Sequence, residues 1–374
     1  MTFLEWTPSR DRIAGEALGD PSAAVVEWHT ETISHPFGTP TTESIERVRG
    51  VALATGERRT FTAIAKTVRS IRHFPPVAAL PLEVQAMADA ALPWRVEPEV
   101  YESGLHESLP PDLRAPRLYE VEDLPDDRAR IWIEDVVSDP IVWDTETYAA
   151  AALAFGRLAG RYPAAAIPWT FTPMTWDLHR YLETRVGPAV IPVLADDATW
   201  SHSLIRAEVD EHLRADLWSL WERGHQLASL ADTLPRTLCH GDACPQNLLM
   251  DASPGTFVAI DWGLAGTAVV GMDLVQLLAG RVDSGELAAG EIEDLMGIAL
   301  DPFLRGLATE GMDVRRRDLD LAVDVSLVVR CAFTALPVER LAGLALQPNA
   351  DQLIRQRAAW CRFLVDRGKR LLGE

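Results

Sequence analysis

Residues 239–263 read CHGDACPQNLLMDASPGTFVAIDWG, a span that carries His240, Asp242, Asn247 and Asp261. Pro245 cannot continue a helix, so Asp242 and Asn247, five residues apart, belong to a loop able to turn both side chains to one side. Asn247 opens a short apolar run. The turn residues Asp251, Ala252, Ser253, Pro254 and Gly255 follow, and a second apolar run, 256–260, ends at Asp261. Two apolar runs around such a cluster predict a β-hairpin, which would fold Asp261 back towards Asn247. Phosphoryl transfer from a magnesium nucleotide needs one carboxylate to take a proton from an attacking hydroxyl and hard oxygen ligands for the metal. These residues are of the right types. The competing reading is a loop whose Asp and Asn only cap turns. Five fixed letters (His, Gly, Asp, Asn, Asp) at set spacing arise by accident at roughly one in 10⁶ starting positions, at about one in twenty per letter.

This segment resembles the catalytic core of the aminoglycoside phosphotransferase and choline kinase-like family, the small-molecule branch of the protein-kinase-like fold. The resemblance implies that Asp242 is the catalytic base, that Asn247 and Asp261 hold magnesium, and that His240 braces the loop. Protein kinases have Arg between the His and Asp of this loop, where it meets a phosphorylated activation loop. Here that position is Gly241, which implies an enzyme competent without such a switch.

Composition adds an upstream candidate. Of 35 basic residues only Lys66 and Lys369 are lysine. Lys66 ends the β-prone run FTAIA at 61–65, so it reads as a strand residue. A compact ammonium on a flexible stem suits nucleotide phosphates in a way that a planar guanidinium does not. The alternative is an ordinary surface lysine.

Such a lysine needs an acidic partner. The segment 93–109 has a helical pattern and resembles the family's third helix, in which a glutamate stands four residues before a tyrosine; Glu97 and Tyr101 match, with Glu99 and Glu102 as competitors. Pro98 is acceptable only in the first turn. Residues 130–136, RIWIEDV, form an apolar strand running into Glu134 and Asp135. The resemblance makes this the hinge between lobes, with the backbone of Glu134 and Val136 on the adenine ring; an ordinary strand end remains the alternative.

Between strands expected at 25–33 and 44–54 the connection SHPFGTPTTE holds a single glycine, Gly38. A phosphate-covering loop uses glycine to bring backbone amides close. Thr39, Thr41 and Thr42 offer hydroxyls instead, and a hairpin without nucleotide contact stays open, as does ATP against GTP. Downstream, Asp273 and Gln276 begin an apolar helical pattern and read as a capping-box-like N-terminus.

The remaining bounds are broad. A chain of 374 residues, 48% hydrophobic and 24% charged, has room for two lobes. The expected fold class is α+β, protein-kinase-like, with a β-rich N-terminal lobe over 1–137 and a mostly helical lobe over 138–374 whose main β element is the 247–261 hairpin. No run is read as the roughly 20 apolar residues of a membrane span, and the N-terminus MTFLEWTPSRDR carries charges where a signal peptide is apolar. A cytoplasmic protein is expected. Cys239, Cys244, Cys331 and Cys361 fit no zinc spacing. A formal net charge of −20 repels nucleic acid.

Acceptor specificity is expected in the helical segments 165–235 and 280–345, which include Trp169, Trp176, Trp200, Trp218 and Trp221 and the acidic Glu208, Asp210, Glu211 and Asp216. Trp218 and Trp221 stand at helical spacing and read as core, and the acidic run reads as a solvated helix face. The overall expectation is an ATP- and Mg-dependent O-phosphotransferase acting on a hydroxyl of a small molecule, an antibiotic or related natural product. Its rivals are a metabolic kinase for choline, homoserine, a ketosamine or a sugar, and a catalytically silent binding protein. Oligomeric state has no signature in the sequence.

Overall fold

The computed structural model describes residues 9–34, 40–168, 174–251 and 255–374. Gly38, Thr39, Trp169 and turn residues 252–254 lie outside them. The chain begins α1 (Ser9–Leu18), β1 (Ala24–Thr32), β2 (Thr42–Ala54), β3 (Glu57–Arg69), α2 (Pro75–Ala78), α3 (Leu82–Ala91) and α4 (Val96–Glu102). It continues through β4 (Leu113–Arg114), β5 (Leu118–Leu124), β6 (Arg128–Ile133), α5 (Thr145–Arg161) and β7 (Met174–Trp176). Short helices follow: α6 (Leu178–Tyr181), α7 (Ile191–Ala195), α8 (Asp197–Ser201), α9 (Ser203–Glu208), α10 (Glu211–Glu222) and α11 (Gly224–Ser229). Then come β8 (Arg236–Cys239), β9 (Leu248–Met250), β10 (Phe257–Ala259), β11 (Gly266–Val269), α12 (Met272–Asp283), α13 (Ile292–Thr309), α14 (Arg316–Cys331), α15 (Leu341–Leu344) and α16 (Ala350–Leu371).

Two compact units result. The first is drawn from Met1–Pro140, Trp169–Met174 and Leu249–Leu264, the second from Ile141–Pro168, Thr175–Leu248 and Ala265–Glu374. In the first, an antiparallel sheet ordered β1-β2-β3-β6-β5 is built on alternation. Phe61, Ala63 and Ala65 of β3 join Val48, Ala52 and Ala54 of β2 and Ile13 and Ala14 of α1 in one buried cluster with Trp132. The period of two puts Lys66 on the opposite face. Gly50 is required in β2 because a Cβ there would lie 2.4 Å from the Phe61 ring.

The hairpin at 248–259 forms, with β9 and β10 neighbours in a sheet ordered β4-β10-β9. Contrary to the expectation from sequence, it is not the second unit's main β element. Strand β10 runs parallel to β4, Phe257 opposite Leu113, and this pairing ties the hairpin to the first unit. The second unit's strands are ordered β7-β11-β8 instead.

The second unit is otherwise helical. Helices α5 and α13 pack closely through glycines: a Cβ on Gly156 would sit 2.2 Å from the Phe303 carbonyl oxygen, and one on Gly306 would sit 2.4 Å from that of Leu153. One stretch corrects the reading that no run suits a membrane. Arg316–Arg340 has a mean hydropathy of 1.8 in its most apolar window, long enough to span, but 78% of that window is buried inside the protein. Its apolarity is accounted for by packing in the second unit's core.

Candidate active site

In the first unit three distant residues meet. Lys66 Nζ lies 2.5 Å from Glu97 Oε2 and 2.7 Å from Asp261 Oδ1. Register sets the lysine, which pairs with Ile45 of β2 and Ile131 of β6. Glu97 is the second residue of α4 and Pro98 the third, so the proline falls in the first turn, where a missing amide costs nothing. Of the competing glutamates, Glu102 pairs with Arg95 at 3.1 Å. Glu97 also accepts from the Trp262 amide at 3.3 Å, and so fixes the residue after Asp261. Trp262 itself is fully buried, its indole donating to the Ala259 carbonyl at 2.8 Å.

Asp261 has φ of +62°, the left-handed region that a non-glycine residue enters at a cost of about 1–2 kcal/mol. The Lys66 bond and the Glu97–Trp262 bond hold it there. Burial works against the charge on Lys66, but Asp261 and then Glu97 outweigh it and raise the lysine pKa above its ordinary value. Burial pushes the Glu97 carboxyl up, opposed by Lys66 and reinforced by Asp261. One ammonium between two carboxylates leaves a surplus negative charge. The Asp261 side chain is 37% exposed, so it can reach a cation.

In the second unit the loop after β8 is held from beneath by α12. The Asp273 carboxylate accepts from the His240 amide at 3.0 Å and from the Gly241 amide at 2.9 Å. Gln276 Nε2 donates to Asp242 Oδ1 at 3.1 Å. Gly280 completes the stripe, since a Cβ there would lie 2.8 Å from Cys244 Cβ and 3.0 Å from Pro245 Cδ. Positions 273, 276 and 280 share one helix face. The capping-box reading of Asp273 and Gln276 is therefore corrected: Gly271 is the N-cap, and Asp273 spends both oxygens on the loop. Burial pushes Asp273 up to about 6, although its bonds from the Gly241 and His240 amides pull the other way.

Within the loop, Asn247 Nδ2 donates to Asp242 Oδ2 and to the Asp242 carbonyl, each at 2.9 Å. The Asn247 carbonyl oxygen is thereby left as a hard donor. His240 is fully buried; its Nδ1 accepts from the Asp242 amide at 3.3 Å and its ring meets Phe155 edge-on. Its Nδ1 bond ties the ring to the loop's backbone. Among the described residues no group of three His, Cys, Asp or Glu side chains is placed to hold a metal. Asn247 in the second unit and Asp261 in the first each present a hard oxygen, the ligand type that Mg²⁺ takes.

The hinge candidates lie where β6 ends, in a stretch without regular structure. The Glu134 amide donates to the Arg117 carbonyl at 2.9 Å and its carboxylate binds Arg114 at 2.8 Å. Thr41 and Thr42 are buried beside the end of β3, with little surface for phosphate.

In the acceptor-varied helices, Trp218 is 40% exposed rather than core. With Trp200, Trp221, Glu211 and Arg214 it lines a cavity of about 480 Å³. Of the acidic run, Asp210 and Glu211 are exposed as expected, whereas Glu208 and Asp216 are half-buried in pairs with Arg355 and Lys369.

Residues 105–307 match the phosphotransferase enzyme family. No curated protein sequence matches the chain. Among solved structures the chain is similar to an amicoumacin kinase in complex with AMP-PNP, Ca²⁺ and Ami, at 12% identity over 91% of this chain and 88% of that one, with a TM-score of 0.51. It is also similar to an aminoglycoside phosphotransferase from Alicyclobacillus acidocaldarius (15% identity, 91% of each chain, TM-score 0.48). A choline/ethanolamine kinase family protein from Mesorhizobium loti is a third (15% identity, 92% of this chain and 88% of that one, TM-score 0.44). The first likeness shows a kinase-like α+β fold.

Proposed function

Since this chain belongs to the phosphotransferase enzyme family, we propose that it transfers the γ-phosphoryl group of ATP to a hydroxyl of a small molecule, an antibiotic or related natural product, in the cytoplasm. The observation that carries the reading is the Asp242 carboxylate, gripped by Asn247 and Gln276 in a loop whose backbone Asp273 holds.

Asp242 accepts the acceptor's proton as its oxygen forms the new O–P bond. The bond between the γ-phosphorus and the bridging oxygen breaks, and ADP leaves with the electron pair. Lys66, held by Glu97, contributes positive charge to the nucleotide phosphates. Mg²⁺, held by Asn247 and Asp261, would neutralise charge on the phosphate oxygens. Within the first unit, the surplus negative charge around Lys66 supports the reading of Asp261 as a cation ligand. A silent binding protein would have no use for a base so closely positioned.

The test is a Mg·ATP transfer screen over hydroxylated antibiotics and metabolites, read by mass spectrometry, with Asp242→Asn in parallel. A product heavier by one phosphoryl group is expected, its rate falling about 10²- to 10⁴-fold in the variant. Full turnover by Asp242→Asn would remove the carboxylate from the mechanism.

A further inference from the structure

In the first unit Arg114 uses all five of its guanidinium N–H groups. Nε donates to Asp251 Oδ2 at 2.9 Å and Nη2 to Asp251 Oδ1 at 3.1 Å. Nη1 and Nη2 reach the two Glu134 oxygens at 2.8 and 3.3 Å, and Nη1 also donates to the Ala115 carbonyl at 3.1 Å. One planar fork therefore grips two carboxylates side by side, which a point charge such as lysine cannot do. The three side chains are between 18% and 27% exposed.

The two carboxylates belong to different pieces of the candidate site. Glu134 follows β6 and begins the hinge segment. Asp251 follows β9, on the hairpin whose other strand, β10, leads to Asp261. Arg114 itself lies in β4 and pairs with Val258 of β10, just ahead of Asp261. The rest of the hinge segment is anchored in the same manner. Asp135 accepts from Arg47 Nε on both oxygens, at 3.1 and 3.0 Å, and Ser138 Oγ accepts from the Met250 amide at 3.0 Å. A segment outside regular secondary structure is ordinarily among the more mobile parts of a fold. Here side chains at 134, 135 and 138 hold it, and the ties from 134 and 138 both run to the end of β9.

We infer that Arg114 is a positioning residue for nucleotide binding: it fastens the hinge backbone at 134–136 to the hairpin that carries Asp261, so that the groups for the base and for the metal stand at one fixed spacing before a nucleotide arrives. The inference rests on the hinge and metal roles within the phosphotransfer reading above. A loop ordered by folding does not have to be ordered by the ligand, and the difference is read as affinity. Without Arg114 the hinge and the hairpin lose their shared fork, and the Glu134 and Asp251 carboxylates repel each other without the cation between them.

The experiment measures the binding of adenosine and of Mg·ATP by calorimetry in wild type, Arg114→Gln, Arg114→Lys and Arg161→Gln, each well below its unfolding temperature. Adenosine reports on the hinge alone, Mg·ATP on the hinge and Asp261 together. Arg161 pairs with Glu310 at 2.9 Å in the second unit, so Arg161→Gln controls for the loss of a comparable ion pair. Arg114→Gln should weaken adenosine about 10-fold, the lower end of what hydrogen bonds to a charged group are worth because these side chains are partly exposed. Mg·ATP should weaken by more than adenosine does, and Arg161→Gln should leave both unchanged. Arg114→Lys keeps the charge but loses the fork, so it should recover unfolding temperature more than affinity. Unchanged affinities in Arg114→Gln, with only a lowered unfolding temperature, would make Arg114 a structural ion pair and overturn the proposal, as would full recovery of affinity in Arg114→Lys. If wild type binds both ligands yet phosphorylates nothing, the phosphotransfer reading fails while these affinities still decide the role of Arg114. No adenosine binding in wild type would sink the hinge assignment and this proposal with it, and leave phosphotransfer to the product screen.

Discussion

Asp273 shows how much one carboxylate organises. Its two oxygens take up the amides of His240 and Gly241, so the loop carrying Asp242 has a fixed floor. Replacing it with Asn offers one acceptor for two amides, and a buried amide without a partner costs about 1–3 kcal/mol. Asp273→Asn should lose that much stability at pH 7, measured by urea unfolding. The pH dependence has a definite sign. The folded pKa, about 6, lies above the ordinary value of 3.8, so the folded state binds the proton more tightly. The associated stabilisation is full below pH 3.8 and is lost as pH rises through 6. The wild-type advantage over Asp273→Asn should therefore grow as pH falls from 6 towards 4, and a flat difference would mean an unshifted carboxyl. Nothing in the local sequence reveals this role. An Asp early in a helix also suits a cap, and its partners lie 33 and 32 residues away. Lys66 was legible because lysine is so rare in this chain, and Glu97 because a glutamate four residues before Tyr101 is a specific pattern.

At the scale of elements, helix α12 works as a rail, with Asp273, Gln276 and Gly280 on one face beneath the Asp242 loop. Sequence reading took Asp273 and Gln276 for a cap and passed over Gly280, which completes their helix face. The α5–α13 contact depends on another missing side chain. Gly156→Val places atoms where the Phe303 carbonyl stands, so the helices must part, and overpacking of this kind costs about 1–3 kcal/mol. A lowered urea midpoint with unchanged slope is the expected result; an unchanged midpoint would mean the two helices separate freely. The β9–β10 hairpin was legible from its two apolar runs. Its allegiance was not, because that depends on β10 pairing with β4, over 140 residues earlier.

For the whole molecule, ligand linkage separates the roles assigned to Asp242 and Asp261. A ligand bound only by the folded state stabilises it by about 2.7 kcal/mol at a hundredfold excess over Kd. Mg·ATP should raise the unfolding temperature of wild type and of Asp242→Asn alike, while Asp261→Asn should lose the magnesium-dependent part. Undiminished stabilisation of Asp261→Asn would exclude it as a metal ligand. By itself the sequence determined the kinase-like class, four of the five strands of the first sheet, the loop that carries Asp242 and Asn247, and the strand position of Lys66, because each rests on local periodicity, turn residues or a motif of short span. Tertiary structure alone decided that Asp273 supports the loop, that Trp218 lines a cavity, that the apolar 316–340 stretch is core, and that Arg330 is buried against Trp176. Those properties belong to pairs of residues far apart in the chain, and only folding brings their charges and surfaces together.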